Sequence, residues 1–387
     1  MKKAKKLLPI FLVLLLVVSG SVIAMAALGD GSVEINSTNF PDATFREAVR
    51  LYYDDDKDGF LSESERAYSR MSVSGIVENL ASETGVDEST LVINDLTGIE
   101  YFSSLNTLRC NSVGNIETLD VSELKELTTL SCSDIGLEEL DVSSNQKLTE
   151  LYVCLDDITS LDLSENTNLV KLHCYSNSNL TSLNVSGLTK LEELRCDVCA
   201  LDELDLSDNT ALRFLICSYN RIPSLDLSNT CVTNATDENI GRQTIDAEVV
   251  YDEGLKVPLE LDAYCVTGSS LALGAEAFVD NAFVTEDYAE VENGFNYLYS
   301  VGLNGASDMS VHVNTSHSHI SHLAGFDFDN NNAILRCIIC DGDETAVSYP
   351  EKINLRQTDN GYEAALDVNN DGIINAKDYA LIVQTYR

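Results

Sequence analysis

Two short stretches of this chain carry oxygen-bearing side chains at the spacing that a hard metal ion requires. The first is DDDKDGFLSESE, from Asp54 to Glu65, in which Gly59 permits a sharp turn. Its predicted ligands are the side chains of five residues and the backbone carbonyl of a sixth: Asp54, Asp56, Asp58, Ser62 and Glu65, with the carbonyl from Phe60. The pattern predicts a Ca²⁺ site. The alternative is an acidic turn that binds no ion.

The second stretch, DVNNDGIINAKD, lies near the end of the chain and has Gly372 at the turn. Its predicted Ca²⁺ ligands are the side chains of Asp367, Asn369, Asp371, Asn375 and Asp378, with the backbone carbonyl of Ile373. This stretch offers three carboxylates and the first offers four. We therefore predict that the first stretch binds Ca²⁺ more tightly.

The first stretch matches the EF-hand loop at every ligand position. Phe45, Val49 and Tyr52 follow at helical spacing in the segment before it, which predicts a helix over 41–53. A helix–loop–helix of this kind is expected to cap the apolar end of a repeat domain.

The second stretch, together with the amphipathic segment after it, resembles the dockerin repeat. Dockerins are calcium-dependent modules with which secreted proteins of anaerobic bacteria bind cohesins on scaffold proteins. A full dockerin has two such loops, and this chain has one, because DFDNNNAILRCI upstream lacks the glycine and the last acidic residue. The resemblance implies a cohesin-bearing scaffold as a partner. A purely structural calcium clip is the alternative.

Two leucine phrases recur between the loops with a period of 21 or 22 residues. The first phrase begins at Leu105, Leu127, Leu148, Leu169, Leu191 and Leu212. This period is typical of leucine-rich repeats, whose units must stack to bury a shared core. The predicted fold class is mixed α/β: a leucine-rich repeat solenoid over 91–231, a helical EF-hand-like cap over 27–90, a small β domain and a short C-terminal module.

One position of each repeat forms a ladder that holds mostly cysteine. It contains Cys110, Cys132, Val153, Cys174, Cys196 and Cys217. Valine at one place argues against a metal ligand or an obligate disulfide, so we predict buried thiols that pack as small hydrophobes. Cys199 occupies the place where Asn220 lies one repeat later, and we expect it to bond the backbone of the turn.

Alternation along each strand directs another set of side chains outward, and aromatic and basic types stand out among them. The predicted ligand face consists of Arg109, Tyr152, His173, Tyr175, Arg195 and Phe214, with Cys154 also expected to point outward. The repeats resemble those of bacterial surface and secreted leucine-rich repeat proteins, over about residues 91–230. That resemblance implies a curved scaffold for protein interaction. The alternative is that these are isolated surface residues with no ligand.

The N-terminal residues 1–26 combine four lysines, an apolar run and Ala24-Met25-Ala26, which is typical of a secretory signal peptide. A retained membrane anchor is the alternative reading. No later segment is apolar for long enough to span a bilayer. The net charge of −39 argues against nucleic acid as a partner. We therefore predict a secreted protein, extracellular or associated with the cell surface.

The region after the repeats divides into three predicted parts. Alternating apolar and polar residues predict a β-rich domain over 232–314, and 351–387 contains the dockerin-like module. The segment 315–350 contains Cys337 and Cys340, which with nearby histidines could hold Zn²⁺, form a disulfide, or do neither.

The sequence contains no recognisable catalytic arrangement of glycine loop, nucleophile elbow or zinc-protease motif. Cys154 and His173 are one repeat apart, but a third group to orient them is missing. The favoured function is non-catalytic recognition of a protein or a glycan, with attachment through the C-terminal module. The alternatives are a structural cell-surface protein and an uncharacterised hydrolase.

Overall fold

A computed structural model describes most of the chain as two compact units. The first unit comprises Met1–Ala200 and Leu206–Phe214, and the second comprises Leu201–Asp205 and Leu215–Arg387. The described residues are 31–251, 254–261, 265–271, 274–285, 288–317, 321–327, 332–337, 345–348 and separate positions from 352 onward. The predicted signal peptide lies outside them. Within the described residues, no helix has the length and apolar character to cross a bilayer.

Two helices, α1 (Ala43–Tyr52) and α2 (Val73–Thr84), contact each other near the start of the first unit. The Asp42 side chain caps α1 by accepting the Phe45 N–H at 2.9 Å. Gly85, with a left-handed φ of +70°, ends α2. The buried side chains of the two helices are Phe45, Ala48, Val49, Val73, Ile76, Val77 and Leu80. The helix predicted over 41–53 is confirmed.

The loop from Asp54 to Glu65 follows α1 and contains a short strand. Strand β1 (Val33–Glu34) pairs antiparallel with β2 (Phe60–Leu61) in the middle of this loop. The chain makes a single helical turn around Glu65, closed by the Arg66 N–H on the Ser62 carbonyl, and then enters β3 (Arg70–Ser72), which pairs with the next strand. The prediction of a second helix directly after the loop is therefore wrong. Strand pairing with the first repeat takes the backbone groups that a longer helix would need.

Short parallel strands, one in each repeat, form the sheet of the first unit. After β3 they are β4 (Thr107–Arg109), β5 (Thr129–Ser131), β6 (Glu150–Tyr152), β7 (Lys171–His173) and β8 (Glu193–Arg195). Their central residues, Leu108, Leu130, Leu151, Leu172 and Leu194, are in register and fully buried. The next strand, β9 (Phe214–Ile216), starts at the last residue of the first unit. The predicted repeat solenoid is confirmed in its strand pattern.

The cysteine ladder is buried as predicted. All six of its members have no exposed surface: Cys110, Cys132, Val153, Cys174, Cys196 and Cys217. The thiols of Cys110 and Cys132 lie 3.6 and 3.7 Å from backbone carbonyl oxygens of the following repeat. Burial raises the pKa of the Cys110 thiol to about 12. These cysteines therefore pack as neutral apolar groups.

Buried asparagines tie several turns of the first unit to the preceding repeat. The Asn166 amide donates to the carbonyl oxygens of Val142 and Asn145 at 3.0 and 3.1 Å. Asn145 and Asn209 make the same pair of bonds in their own repeats. The Cys199 thiol contacts the Cys174 carbonyl at 3.3 Å, which confirms the predicted turn bond.

Among the described residues of the predicted β-rich region, the second unit contains a short α-helix and eight strands. In chain order they are α3 (Asp237–Ile240), β10 (Gln243–Glu248), β11 (Val250–Tyr251), β12 (Leu255–Pro258), β13 (Val266–Ser269), β14 (Phe278–Val279), β15 (Ala282–Thr285), β16 (Phe295–Tyr299) and β17 (Met309–Ser316). One sheet has the order β10-β17-β16-β13 and the other β11-β12-β15-β14. Phe283 packs against Phe295 and Tyr297 with ring centroids 4.9 and 5.3 Å apart. These rings form part of the core of this unit.

A three-stranded antiparallel sheet follows, made of β18 (Ser321–Asp327), β19 (Asn332–Cys337) and β20 (Thr345–Ser348). Cys337 is the last residue of β19, and Cys340 lies outside the described residues. The zinc and disulfide hypotheses for this pair stay predictions.

Candidate metal centre and ligand face

The N-terminal loop brings its acidic side chains together. Asp54 follows α1 directly and is 2% exposed, whereas Asp56 and Asp58 are exposed. One carboxylate oxygen from each of these three residues lies within 4.8 Å of the others. Gly59, at φ +88°, allows the sharp turn that a residue with a Cβ rarely adopts. This oxygen-only donor set fits a hard cation such as Ca²⁺.

Glu65, the last predicted ligand of this loop, is held against the loop backbone. Its Oε1 accepts the Asp55 N–H at 2.7 Å, and its Oε2 accepts the Ser62 N–H and hydroxyl at 2.9 and 2.7 Å. Burial opposes ionisation of this carboxyl, but the hydrogen bonds outweigh it and hold its pKa below the usual value. Glu65 is therefore a carboxylate whose two oxygens are bonded across the loop, to Asp55 at one end and to Ser62 at the other.

The C-terminal loop shares two backbone features with the N-terminal one. In each, the residue at the fourth place has a left-handed φ: +59° for Lys57 and +56° for Asn370. In each, the N–H at the ninth place bonds the carboxylate at the twelfth, and Asn375 donates to Asp378 at 2.8 Å. Asp378 is fully buried.

The remaining predicted ligands of the C-terminal loop are placed only in part. Asp367 is 4% exposed, and the Ile373 carbonyl accepts the Asn375 side-chain amide at 2.8 Å. Asn369 and Asp371 lie outside the described residues. The complete ligand geometry of this loop, and with it the second Ca²⁺ site, stays a prediction.

The predicted ligand face contains one connected cluster on β6, β7 and β8. The Tyr152 and His173 rings meet edge to face, with centroids 5.0 Å apart. His173 Nε2 lies 2.7 Å from Glu193 Oε1, and Lys171 Nζ lies 2.8 Å from Glu193 Oε2. Burial lowers the pKa of His173 more than Glu193 raises it. Lys171 is therefore the ionic partner of Glu193, and the imidazole stays neutral.

The cluster continues to the residues that follow β7 and β8. The Arg195 guanidinium lies over the Tyr175 ring, 4.4 Å from its centroid, in a cation–π arrangement. Arg195 Nε also lies 3.4 Å from Asp197 Oδ1. The His173 and Tyr175 rings are 6.5 Å apart, so the contacts run without a break from Tyr152 to Arg195. These contacts place four of the six predicted ligand-face residues in a single cluster.

The other two predicted residues lie on strands outside this cluster. Arg109 is exposed on β4, and Phe214 is 38% exposed at the start of β9. The predicted ligand face did not include Asp197, and it did not include Glu193 although strand alternation predicts that Glu193 points outward; these two residues pair with Arg195 and Lys171. Both residues could have been found from the sequence, because each lies two residues from the predicted ligand-face residue Arg195.

Cys154 does not face outward, so that prediction is wrong. It is 3% exposed, and its thiol lies 3.3 Å from the backbone carbonyl of His173, not beside its ring. Each strand is only three residues long, and the alternation ends at Tyr152. The exposed position moves to Leu155, whose left-handed φ of +59° turns the chain. Burial raises the pKa of the Cys154 thiol, which disfavours a nucleophilic thiolate.

The stacked strands and the buried cysteine and asparagine ladders together define a leucine-rich repeat protein. The chain matches no protein-family model and no curated protein. The solved structures to which it is similar include three from Listeria monocytogenes. One is the functional domain of InlJ, described as including a cysteine ladder, with 24% identity and a TM-score of 0.43 over 58% of this chain and 56% of that chain.

The other two are the internalins InlF and InlC2. InlF has 18% identity and a TM-score of 0.28, over 57% of this chain and 81% of that chain. InlC2 has 16% identity and a TM-score of 0.33, over 52% of this chain and 96% of that chain. With identities and TM-scores this low, none of the three identifies a family or a function for this chain.

Proposed function

We propose that this chain is an exported, non-catalytic recognition protein whose repeat face binds a protein or a glycan. The observation that carries this proposal is the connected cluster of Tyr152, His173, Tyr175 and Arg195 on neighbouring strands. Tyrosine and arginine dominate the binding energy of many protein interfaces because each combines a large contact area with hydrogen bonding. The leader pattern in residues 1–26 supports export.

The geometry of Cys154 supports a role in binding over one in catalysis. Its buried thiol contacts a backbone carbonyl, and burial raises its pKa. The His173 imidazole, the candidate base one repeat away, is bonded to Glu193. A nucleophile needs a base within hydrogen-bonding reach and a lowered pKa, and this pair supplies neither.

The test is binding of the mature chain to protein and glycan arrays, with the variants Tyr152→Ala and Arg195→Ala. We expect each variant to weaken a specific interaction by about tenfold or more, because truncated interface anchors commonly have that effect. The matched control is Tyr251→Ala, which removes a tyrosine that is 46% exposed on a strand of the second unit. Specific binding that survives both ligand-face variants overturns the proposal. Absence of any specific ligand favours a structural role.

We extend the proposal to calcium and to attachment. The N-terminal loop would hold Ca²⁺ with Asp54, Asp56, Asp58 and Glu65, and the ion would neutralise their shared charge. The dockerin-like pattern of the C-terminal loop supports docking to a cohesin on a scaffold protein. Its shared backbone features with the N-terminal loop support Ca²⁺ binding there as well.

The docking proposal is tested by capturing partners of the full mature chain from the native secretome, with and without a calcium chelator. A chelator-sensitive cohesin is the expected partner, and Asp367→Ala should abolish its capture. The matched control is Asp54→Ala, which changes the corresponding first ligand of the N-terminal loop. Capture that is insensitive to chelator, or lost equally in both variants, contradicts docking through the C-terminal loop.

A further inference from the structure

The outward strand positions of the first unit reverse the charge balance of the whole chain. The chain contains 63 acidic and 24 basic residues, excluding histidine. On strands β3 to β8, the residues on either side of the buried central position include four basic side chains and two acidic ones. They are Arg70, Arg109, Lys171 and Arg195, against Glu150 and Glu193. A basic face on an acidic protein favours an acidic partner.

Two of these arginines are available for a partner. Arg70 and Arg109 are exposed on β3 and β4, which are adjacent strands in register. Among the residues that the structure describes, neither has a carboxylate within ion-pair distance. Lys171 and Arg195, in contrast, are already paired with Glu193 and Asp197. The unpaired positive charge of this face therefore lies on β3 and β4.

An apolar feature lies at the turn that follows the strands. The third residue after each of strands β4 to β8 has a left-handed φ, and at two of these places the residue is apolar and exposed: Leu155 is 54% exposed and Val198 is 46% exposed. The same place in the other repeats of the first unit holds Ser112, Asp134 and Ser176. A left-handed φ is unfavourable for a branched side chain such as valine. Neither burial nor backbone preference explains these two apolar side chains.

We propose that the recognition surface extends beyond the Tyr152–His173 cluster to these features, and that its partner is an acidic polypeptide surface with apolar side chains. This proposal rests on the proposed recognition function and specifies its ligand class. Arg70 and Arg109 attract the carboxylates of the partner. Leu155 and Val198 contact its apolar side chains, and the binding energy compensates for the strained backbone that displays them.

The rings of the cluster favour a polypeptide over an anionic glycan. Sugars stack on an open aromatic ring face, and one face of Tyr175 is covered by the Arg195 guanidinium. The Tyr152 ring meets His173 at an interplanar angle of 84°. Exposed aliphatic groups such as Leu155 and Val198 match apolar side chains of a protein, because both surfaces lose contact with water on association.

The test uses the full mature chain and four probes. They are short peptides rich in glutamate and leucine, the same peptides with glutamate replaced by glutamine, the same peptides with leucine replaced by serine, and polygalacturonate as an anionic glycan. We expect the glutamate–leucine peptides to bind best and to bind less tightly as salt rises, because salt screens exposed charges. Arg109→Gln should lower their affinity by about fivefold, mainly through slower association.

The decisive variant is Val198→Asn, since asparagine tolerates a left-handed φ better than valine. It should raise the midpoint temperature of unfolding and lower affinity for the glutamate–leucine peptides by about fivefold to tenfold. If Val198 merely stabilised the fold, its replacement would lower the unfolding temperature instead. The matched control is Val86→Asn, which changes a valine that is 45% exposed and outside the left-handed turns. It should leave the affinity unchanged and should not raise the unfolding temperature, because Val86 has no left-handed φ to relieve.

The outcomes separate this proposal from the one on which it rests. If the glutamine peptides bind as well as the glutamate–leucine peptides, the acidic part of the proposal is overturned. If the serine peptides bind as well, the apolar part is overturned. If polygalacturonate binds more tightly, the partner is not a polypeptide. If Tyr152→Ala abolishes binding to some neutral ligand while no acidic peptide binds, the recognition function stands and this inference fails. If Tyr152→Ala affects no interaction at all, the recognition function itself fails.

Discussion

The Nε2 atom of His173 lies 2.7 Å from Oε1 of Glu193, on the neighbouring strand. The second oxygen of the same carboxylate accepts a hydrogen bond from Lys171. Burial opposes ionisation of Glu193, but these two hydrogen bonds outweigh it and lower its pKa. Burial also lowers the pKa of His173, so the permanent charge of Lys171 balances the carboxylate. One acidic side chain thereby holds both outward residues of β7.

The lowered pKa of His173 predicts a pH dependence of stability. The unfolded chain binds a proton at this residue more readily than the folded chain. The stability that depends on neutral His173 is therefore present above about pH 6.5 and is lost as pH falls below it. We expect His173→Gln, which keeps a donor for Glu193, to flatten this part of the profile. Urea unfolding at several pH values measures it, and an unchanged slope in the variant contradicts the prediction.

A second prediction concerns Asp156, a carboxyl that is 6% exposed at the place where the next three repeats hold Asn177, Cys199 and Asn220. Its Oδ1 accepts the N–H groups of three consecutive residues at 2.9 to 3.2 Å. Among the described atoms, Oδ2 is buried without a hydrogen-bond partner. Burial raises the pKa of this carboxyl despite the bonds that lower it. The folded chain thus binds the proton more tightly, and its stability falls as pH rises above about 4.

We therefore expect Asp156→Asn to stabilise the protein at neutral pH by about 1 kcal/mol, because the amide keeps the acceptor and removes the buried charge. The gain should shrink toward about pH 4, where the carboxyl of the parent chain is protonated. The control is Asp141→Asn, since a hydrogen bond from Ser143 lowers the pKa of exposed Asp141. That variant should give no gain. Urea unfolding at both pH values compares the two, and equal effects would contradict the assignment.

A third prediction distinguishes an apolar role of the ladder cysteines from a chemical one. Cys132→Val should change the free energy of unfolding by no more than about 1 kcal/mol, because Val153 fills the equivalent place one repeat later. Cys132→Ser should cost about 1 to 3 kcal/mol, because a hydroxyl is harder to bury than a thiol. Denaturant unfolding provides both values. If Cys132→Ser kept the free energy of unfolding of the parent protein and Cys132→Val lowered it, the packing role would be refuted.

The ladder should also resist thiol reagents in the folded protein. The pKa of Cys110 is raised to about 12, and those of Cys132 and Cys174 are raised well above the ordinary value. Because the thiolate is the reactive form, these positions should be modified only after unfolding. Mass spectrometry after labelling with and without denaturant locates the modified residues. Rapid labelling of Cys132 in the native protein would be the contrary result.

The last prediction concerns the relative strength of the two loops. Four carboxylates in the N-terminal loop against three in the C-terminal one predict tighter Ca²⁺ binding at the N-terminal loop. Calorimetric titration of the full mature chain should therefore show the tighter site lost in Glu65→Gln and retained in Asp378→Asn. If Ca²⁺ binds more tightly to Glu65→Gln than to Asp378→Asn, the C-terminal loop is the tighter site and the prediction is wrong. Removing Ca²⁺ should also lower the unfolding temperature, because an ion that binds only the folded state stabilises it.

Several features of the fold were predictable because they depend on spacing alone. The period of 21 or 22 residues predicted one strand per repeat, and valine in place of a ladder cysteine predicted that the ladder packs in the core. The position of Cys199 predicted its bond to the turn. Predictions failed where a short strand ended. Cys154 turned inward because alternation extends over only three residues, and the helix expected after Glu65 gave way to pairing between β3 and β4.

The sequence by itself determined the repeat register, the composition of the buried ladders and the ligand types of the two loops, because each follows from local period and side-chain chemistry. Only the tertiary structure decided which outward residues touch. Stacking of successive repeats brings Arg195 over Tyr175 and His173 against Glu193, although about twenty residues separate each pair. It also decided that Leu155 and Val198 are exposed, because that depends on the left-handed turn after each strand and not on hydrophobicity.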